Sequence, residues 1–117
     1  MLLGQTVIVP TTATTYYSPW YPRRGDAMRP AVQYFNKSGT ISTFTCQVQT
    51  KNREDSDQSA VNLGSAVTVA TASGGQVTVG GTNITGCLEL VRFRYTLGAA
   101  STRWVHFRGL DPLWMPN

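Results

Sequence analysis

The stretch that decides the fold runs from Leu88 to Gly109 and reads Leu-Glu-Leu-Val-Arg-Phe-Arg-Tyr, Thr-Leu-Gly-Ala-Ala-Ser-Thr, Arg-Trp-Val-His-Phe-Arg-Gly. Two runs rich in aromatic and β-branched residues flank a loop of small residues that contains Gly98. Runs of this composition form strands, and a short connection with glycine joins antiparallel neighbours. The stretch therefore predicts a β-hairpin.

One face of the predicted hairpin is apolar. Because successive side chains of a strand alternate between its two faces, Val91, Phe93 and Tyr95 share one side of the first run, and Val105 and Phe107 share one side of the second. The opposite sides carry guanidinium groups, an indole and an imidazole, from Arg92, Arg94, Trp104, His106 and Arg108. This chemistry suits contact with a surface better than it suits catalysis.

The rest of the chain continues as short strands separated by turns. Ile41 to Thr50 shows the cleanest alternation, with Phe44 and Val48 directed inward. Ser73-Gly74-Gly75 predicts a tight hairpin that leads into Gln76 to Val79. The sequence as a whole predicts seven or eight short strands and no helix of useful length. The expected fold is all-β, an antiparallel β-sandwich or a small barrel.

Residues 1–30 differ in composition from residues 31–117, and both parts are expected to belong to a single β domain of 117 residues. Pro19, Pro22 and Pro30 fix φ and remove amide donors. The first part is therefore expected to be an extended Pro/Tyr-rich arm that runs along a surface and not inside a sheet. Its aromatic rings are Tyr16, Tyr17, Trp20 and Tyr21. Such rings bury large areas, so the arm either closes one end of its own body or docks on a neighbouring subunit.

The charge composition favours an interface protein. The formal net charge is +4, and eight of the ten basic residues are arginine, which is the cation preferred for bidentate and stacked contacts. Nucleic-acid binders usually concentrate basic residues in a stripe, whereas no basic run here exceeds Arg23-Arg24. We therefore expect no nucleic-acid partner. No apolar run approaches the length needed to span a bilayer, so no membrane partner is expected.

The two cysteines, Cys46 and Cys87, each fall in a predicted strand. The N-terminal Met-Leu-Leu-Gly-Gln does not supply the apolar core of a signal peptide, so an oxidising compartment is not implied. Buried free thiols are the expected state, and a disulfide between two sheets is the alternative.

Residues that could support catalysis or metal binding are few. His106 is the only histidine and lies among arginines, which favours a structural role. Asp55-Ser56-Asp57-Gln58-Ser59 partly matches a calcium loop, but Ala60 and Ala66 stand where an EF-hand needs glycine and a bidentate glutamate. The expectation is a protein that is not an enzyme and has no catalytic residues, no metal and no cofactor.

Three segments carry a resemblance to a known family. They are Tyr16-Tyr17-Ser18-Pro19-Trp20-Tyr21-Pro22-Arg23-Arg24-Gly25-Asp26, then Val48-Gln49-Thr50-Lys51-Asn52 before an acidic loop, and Trp104-Val105-His106-Phe107-Arg108 with Pro112-Leu113-Trp114. In these segments the chain resembles the small β-structured capsid decoration proteins, or head auxiliary proteins, of tailed bacteriophages. The resemblance implies a virion structural protein that is made in the host cytoplasm, binds the major capsid protein on the outer surface of the head and reinforces the shell. It also implies a homo-oligomer, with a trimer as one form.

The residues expected to contact the partner combine arginines with aromatic rings, the mixture that dominates interface hot spots. They are Tyr16, Tyr17, Trp20, Tyr21, Arg23, Arg24, Arg92, Arg94, Arg103, Trp104, Arg108 and Trp114. Two alternatives share the same residues. One is a carbohydrate-binding or receptor-binding β-sandwich, in which exposed rings stack on sugars, and the other is a tail or neck component of the virion.

Overall fold

The computed structural model describes residues 6–8, 14–37, 43–98 and 104–115. These residues form ten strands and one 3-10 turn, Asp57–Ser59. The strands are β1 (Thr6–Ile8), β2 (Thr14–Tyr17), β3 (Tyr21–Pro22), β4 (Ala27–Lys37), β5 (Thr43–Lys51), β6 (Val61–Thr68), β7 (Val77–Val79), β8 (Ile84–Thr85), β9 (Leu90–Gly98) and β10 (Val105–Met115). The sequence predicts seven or eight strands, and the larger number reflects the short strands β2, β3 and β8.

The ten strands form two antiparallel sheets that pack together as a sandwich, which confirms the predicted fold class. The first sheet has the order β1-β10-β4-β7, and β8 also pairs with β4. The second sheet has the order β2-β9-β5-β6, and β3 also pairs with β9. In the described part of the chain, no helix is long and apolar enough to cross a membrane.

The predicted hairpin between Leu88 and Gly109 is wrong, although its apolar face is right. β9 pairs with β2, β3 and β5 in the second sheet, whereas β10 pairs with β1 and β4 in the first. The two strands therefore face each other across the sandwich instead of lying edge to edge. The hairpin predicted at Ser73-Gly74-Gly75 is also wrong, because β6 and β7, the strands on either side of this turn, belong to different sheets.

The inward faces of β9 and β10 form the centre of the core. Tyr95 and Phe107 are almost completely buried, and their ring centroids lie 4.7 Å apart. Phe44 of β5 contacts Phe107 edge to face at 5.0 Å, a geometry that aromatic pairs prefer. The apolar alternation read from the sequence therefore selects the correct core residues, whichever strands are hydrogen-bonded.

The described part of the N-terminal arm does not stay outside the sheets, which corrects the expectation for residues 1–30. β2 and β3 pair with β9 and form the edge of the second sheet. Pro19 lies between these two short strands, at a place where no strand hydrogen bond is needed. Pro30 lies within β4, where the pairing with β10 shifts register between Leu110 and Leu113. Both prolines are thus accommodated at interruptions of the pairing.

The end of β10 lies against the start of β4. Leu113, Trp114 and Met115 of β10 pair with residues 27–29 at the start of β4. The approach is close, because a Cβ atom on Gly25 would lie 2.6 Å from the carbonyl oxygen of Met115. A side chain at position 25 would therefore push these two segments apart.

Both cysteines are buried free thiols, as expected. Burial raises the pKa of the Cys46 thiol to about 12. This group therefore stays protonated at neutral pH and acts as a small apolar side chain of the core.

Candidate functional site

The structure distributes the predicted partner-binding residues over several regions. Tyr17, Trp20, Arg92 and Arg94 belong to the second sheet or to the segment that covers it, and Arg108 lies on the outer face of the first sheet. Tyr16, Tyr21 and Trp114 pack against the core. Arg23 and Arg24 follow β3 and are exposed, Trp104 precedes β10 and is partly buried, and Arg103 lies outside the described residues. The chain therefore offers two separate outer faces instead of one surface.

On the outer face of the second sheet, the Arg92 guanidinium is held between two aromatic rings. Its central carbon lies 4.2 Å from the ring centroid of Tyr17 and 4.5 Å from that of Trp20, within the range of cation–π attraction. Arg92 Nε donates a 2.9 Å hydrogen bond to Gln49 Oε1, and Gln49 Nε2 donates to Asn62 Oδ1. A row of polar contacts therefore crosses β9, β5 and β6 and fixes the guanidinium in one orientation.

Asp57 connects this row to the polar loop. Its Oδ1 accepts a 2.8 Å hydrogen bond from Lys51 Nζ and a 3.0 Å hydrogen bond from Trp20 Nε1. Its Oδ2 lies 3.9 Å from Arg92 Nη1. The hydrogen bond from Lys51 is the main reason that the pKa of Asp57 lies below its ordinary value of 3.8. The carboxylate is therefore held charged between two cations and an indole.

A cleft of about 360 Å³ opens on the same face. It is lined by Tyr17, Gln49, Asp57, Gln58, Ala60 and Arg92. Tyr17 is 46% exposed, so much of its ring remains accessible beside the guanidinium. The cleft combines one accessible aromatic ring with hydrogen-bond donors and acceptors whose positions are fixed by neighbouring side chains.

The outer face of the first sheet has a different chemistry. Val79, Ala31 and Leu110 are direct neighbours across β7, β4 and β10. Directly opposite residues of antiparallel strands point to the same face, and the buried Val32 beside them points inward. An apolar row therefore runs across the outer side of three strands. In this row Val79 is exposed, Leu110 is partly buried, and Ala31 between them is buried.

A second row on this face ends in a guanidinium group. Val77, Gln33 and Arg108 are the next neighbours across the same strands. Arg108 Nη2 donates a 2.6 Å hydrogen bond to Gln33 Oε1, and the guanidinium lies 5.6 Å from the ring of Phe35. Beyond the apolar row, Leu113 pairs with Arg29 and is 55% exposed. The face is thus apolar at its centre, with arginines on both sides.

Several contributors to these faces are not among the residues predicted to contact a partner. Gln49, Lys51 and Asp57 complete the polar cluster, whereas Val77 and Val79 form much of the apolar face. The two valines could have been found from the sequence, because the alternation in β7 places both of them on the same side of the strand. Nothing in the loop sequence shows that Asp57 folds back onto Trp20 and Arg92, since that contact joins residues far apart in the chain.

A second cleft, of about 460 Å³, lies beside Arg23 and Cys87. Arg23 Nη1 donates a 2.8 Å hydrogen bond to the carbonyl oxygen of Cys87 and lies 3.7 Å from Asp26 Oδ1. Arg23 therefore ties the end of β3 to the segment before β9.

The residues considered for catalysis and metal binding do not converge. His106 packs against Phe35, with ring centroids 5.0 Å apart. Within the described ranges, no three histidine, cysteine or acidic side chains are grouped so that they could hold a metal ion. Asp57, the central acid of the partial calcium-loop match, is bound to Lys51 and Trp20.

Comparison of the chain with protein-family models, with curated proteins and with solved structures found no match. The class that the structure itself defines is an antiparallel β-sandwich with one apolar outer face and one polar outer face that carries a cleft.

Proposed function

We propose that this protein is a non-enzymatic virion structural protein that binds the outer surface of a tailed-phage capsid and reinforces it. The attachment surface is the outer face of the first sheet. The observation that carries the proposal is the set of exposed apolar side chains on this face, Val77, Val79 and Leu113, with Arg108 beside them. The resemblance of three sequence segments to capsid decoration proteins is the reason for proposing a capsid as the partner.

The composition of this face favours a protein partner. Val77, Val79 and Leu113 are 47%, 46% and 55% exposed, and they lie on a single side of the sandwich. Exposed apolar groups that are contiguous mark interaction sites, whereas single ones need no explanation. Interfaces between proteins also have apolar centres in which arginine is enriched. Val77 and Arg108, joined through Gln33, provide both features in one row.

The charge of the protein favours an acidic partner surface. The chain carries a formal net charge of +4, which attracts an acidic surface and repels a basic one. A shell presents many identical sites, and oligomers of the chain would engage several of them at once. Linked weak contacts then bind much more strongly than each contact alone.

The proposal is tested by co-sedimentation with undecorated capsids assembled from the coat protein of the same virion. Wild-type protein is expected to bind saturably and to delay thermal disruption of the capsids. Val77→Glu with Val79→Glu is expected to reduce occupancy at least tenfold, because it places two charges in the apolar contact. Thr82→Glu with Ser65→Glu, at two exposed positions outside this row of valines, makes the same change in net charge and is the matched control.

Three results would overturn parts of the proposal. If wild-type protein does not sediment with capsids, the decoration role is wrong. If the double valine variant binds as well as wild type while the control is unchanged, the attachment face is wrong. A closed ring that joins only tail or neck proteins would replace the capsid surface with another position in the virion.

A further inference from the structure

We propose that the cleft on the outer face of the second sheet is a binding site for a neutral saccharide. The site is formed by the Tyr17 ring together with Gln49, Asp57, Gln58 and Arg92. It lies on the opposite side of the sandwich from the apolar face, so its occupation is independent of attachment to a particle.

The size and shape of the cleft suit a small ligand. A volume of about 360 Å³ is toward the small end of the range for small-molecule sites. The cleft is shallow and largely open to solvent, and it is lined by side chains of β2, β5 and β9 and by the 3-10 turn. Tyr17, Gln49 and Arg92 stand on paired strands, and hydrogen bonds from Lys51 and Trp20 hold Asp57 against them.

The charges in the lining disfavour an ionic ligand. Arg92 contributes one positive charge and Asp57 one negative charge, and the other lining residues are neutral. Lys51, whose ammonium group lies 2.8 Å from Asp57 Oδ1, brings the charge of the whole cluster to +1. An ammonium ligand is therefore repelled, whereas an anion that entered the cleft would meet the Asp57 carboxylate in its wall. A purely apolar guest is also disfavoured, because it would separate these polar groups from water without replacing their hydrogen bonds.

The hydrogen-bonding groups suit vicinal hydroxyls, each of which both donates and accepts. Asp57 is an acceptor, Arg92 is a donor, and the amide of Gln58 supplies both functions. Arg92 Nη1 lies 3.9 Å from Asp57 Oδ2, beyond hydrogen-bonding distance, so both groups keep capacity for a ligand. The exposed part of the Tyr17 ring provides an apolar surface for the C–H face of a sugar ring.

Contacts within the protein hold the polar groups of the site in place. Arg92 is held by Gln49 at 2.9 Å and by the rings of Tyr17 and Trp20. Asp57 is held by Lys51 at 2.8 Å and by Trp20 at 3.0 Å. Groups that are fixed before binding lose little conformational freedom on binding, and this raises affinity. Trp20 and Lys51 therefore act as positioning residues for the saccharide site.

The test is a titration of ¹⁵N-labelled full chain with glucose, galactose, mannose and N-acetylglucosamine, followed by NMR. At least one sugar is expected to bind saturably, with shifts centred on Tyr17, Gln49, Gln58 and the Arg92 side chain. Tyr17→Ala is expected to weaken binding at least fivefold. Gln58→Ala, which leaves the stacked guanidinium in place, is expected to weaken binding by at least the same factor. Leu88→Ala, at an exposed apolar residue outside the cleft, is the control and is expected to bind as wild type does.

Defined results would overturn the inference. It is wrong if none of the four sugars gives saturable shifts, or if the shifts centre away from the cleft. It is also wrong if folded Tyr17→Ala and Gln58→Ala both bind as wild type does. Saturable binding of inorganic phosphate or acetate in the cleft, without binding of any sugar, would contradict the assignment of a neutral ligand.

Discussion

Asp57 is the residue on which the polar cluster of the second sheet depends most. It accepts hydrogen bonds from Lys51 and Trp20 and lies near Arg92. Lys51 is only 8% exposed, so its ammonium group needs a partner close by. Asp57→Asn keeps hydrogen-bonding atoms at this position but removes the negative charge, and it therefore isolates the electrostatic part of the contact.

Asp57→Asn is expected to lower the melting temperature at neutral pH, with a loss that disappears in acid. The pKa of Asp57 is lowered in the folded protein from 3.8, chiefly by the hydrogen bond from Lys51. A lowered carboxylate pKa contributes stability that is fully present above the unfolded value and is lost as the pH falls through the folded value. Melting curves of both proteins between pH 7 and pH 2.5 are therefore expected to converge below pH 3.8.

The control is Glu54→Gln, which removes one negative charge from the same loop. Glu54 is exposed and takes part in none of the ion pairs found among the described residues. The melting temperature of Glu54→Gln is expected to equal that of the wild-type protein at each pH. An equal loss in both variants would mean that the net charge of the loop, and not the contact with Lys51, stabilises the protein.

Between the strands, Ser18 fastens the end of β2 to β9. Its Oγ accepts a 2.9 Å hydrogen bond from the amide of Phe93, and its own amide donates to the carbonyl oxygen of Phe93 at 2.9 Å. Ser18 is 4% exposed. One side chain thus continues the pairing of the arm with β9 at the point where Pro19 ends β2.

Ser18→Ala is expected to destabilise the protein by about 1–3 kcal/mol, because the buried amide of Phe93 loses its acceptor. Hydrogen exchange is expected to rise first in residues 14–22, which that contact holds against β9. Denaturant unfolding and exchange mass spectrometry measure the two effects. Ser65→Ala, at an exposed serine of β6 in the same sheet, is the matched control. Unchanged exchange in residues 14–22 would show that β2 and β3 hold to β9 without Ser18.

The strand pattern could be read from the sequence, but the partners of the strands could not. Alternation identifies Phe93, Tyr95 and Phe107 as core residues because burial depends only on which face a side chain occupies. The same alternation arises whether β9 and β10 share a sheet or face each other across the core. The loop of small residues between them is compatible with either arrangement, so the choice depends on contacts made elsewhere in the chain.

In the candidate site, too, some residues could be predicted from the sequence and others could not. Tyr17, Trp20 and Arg92 stand out in the sequence as interface residues, and the structure brings these three together. Their stacking also uses part of the surface that was expected to face a partner. The contacts of Asp57 and Gln49 with Arg92 are visible only in the folded structure. Gln49 reaches Arg92 from the neighbouring strand, and Asp57 reaches it from the loop. Residue type therefore indicates the kind of chemistry, and topology decides where it is assembled.

At the scale of the whole molecule, the two outer faces are separated by the core and have different chemistry. The first sheet presents Val77, Val79 and Leu113, whereas the second presents a cleft around Tyr17 and Arg92. In a sandwich the outer faces of the two sheets point in opposite directions. A protein attached to a shell by the first face would therefore hold the second toward the surroundings.

This arrangement predicts that the two binding events are separable. Val77→Glu with Val79→Glu is expected to lose capsid occupancy but to bind the saccharide within twofold of wild type. Tyr17→Ala is expected to lose saccharide binding but to keep capsid occupancy, because mutations without shared contacts have independent effects. The measurements are sugar titrations of both free variants and co-sedimentation of both with capsids. If Tyr17→Ala also lowers occupancy tenfold, the cleft belongs to the attachment surface, and the shell contacts the second sheet as well as or instead of the first.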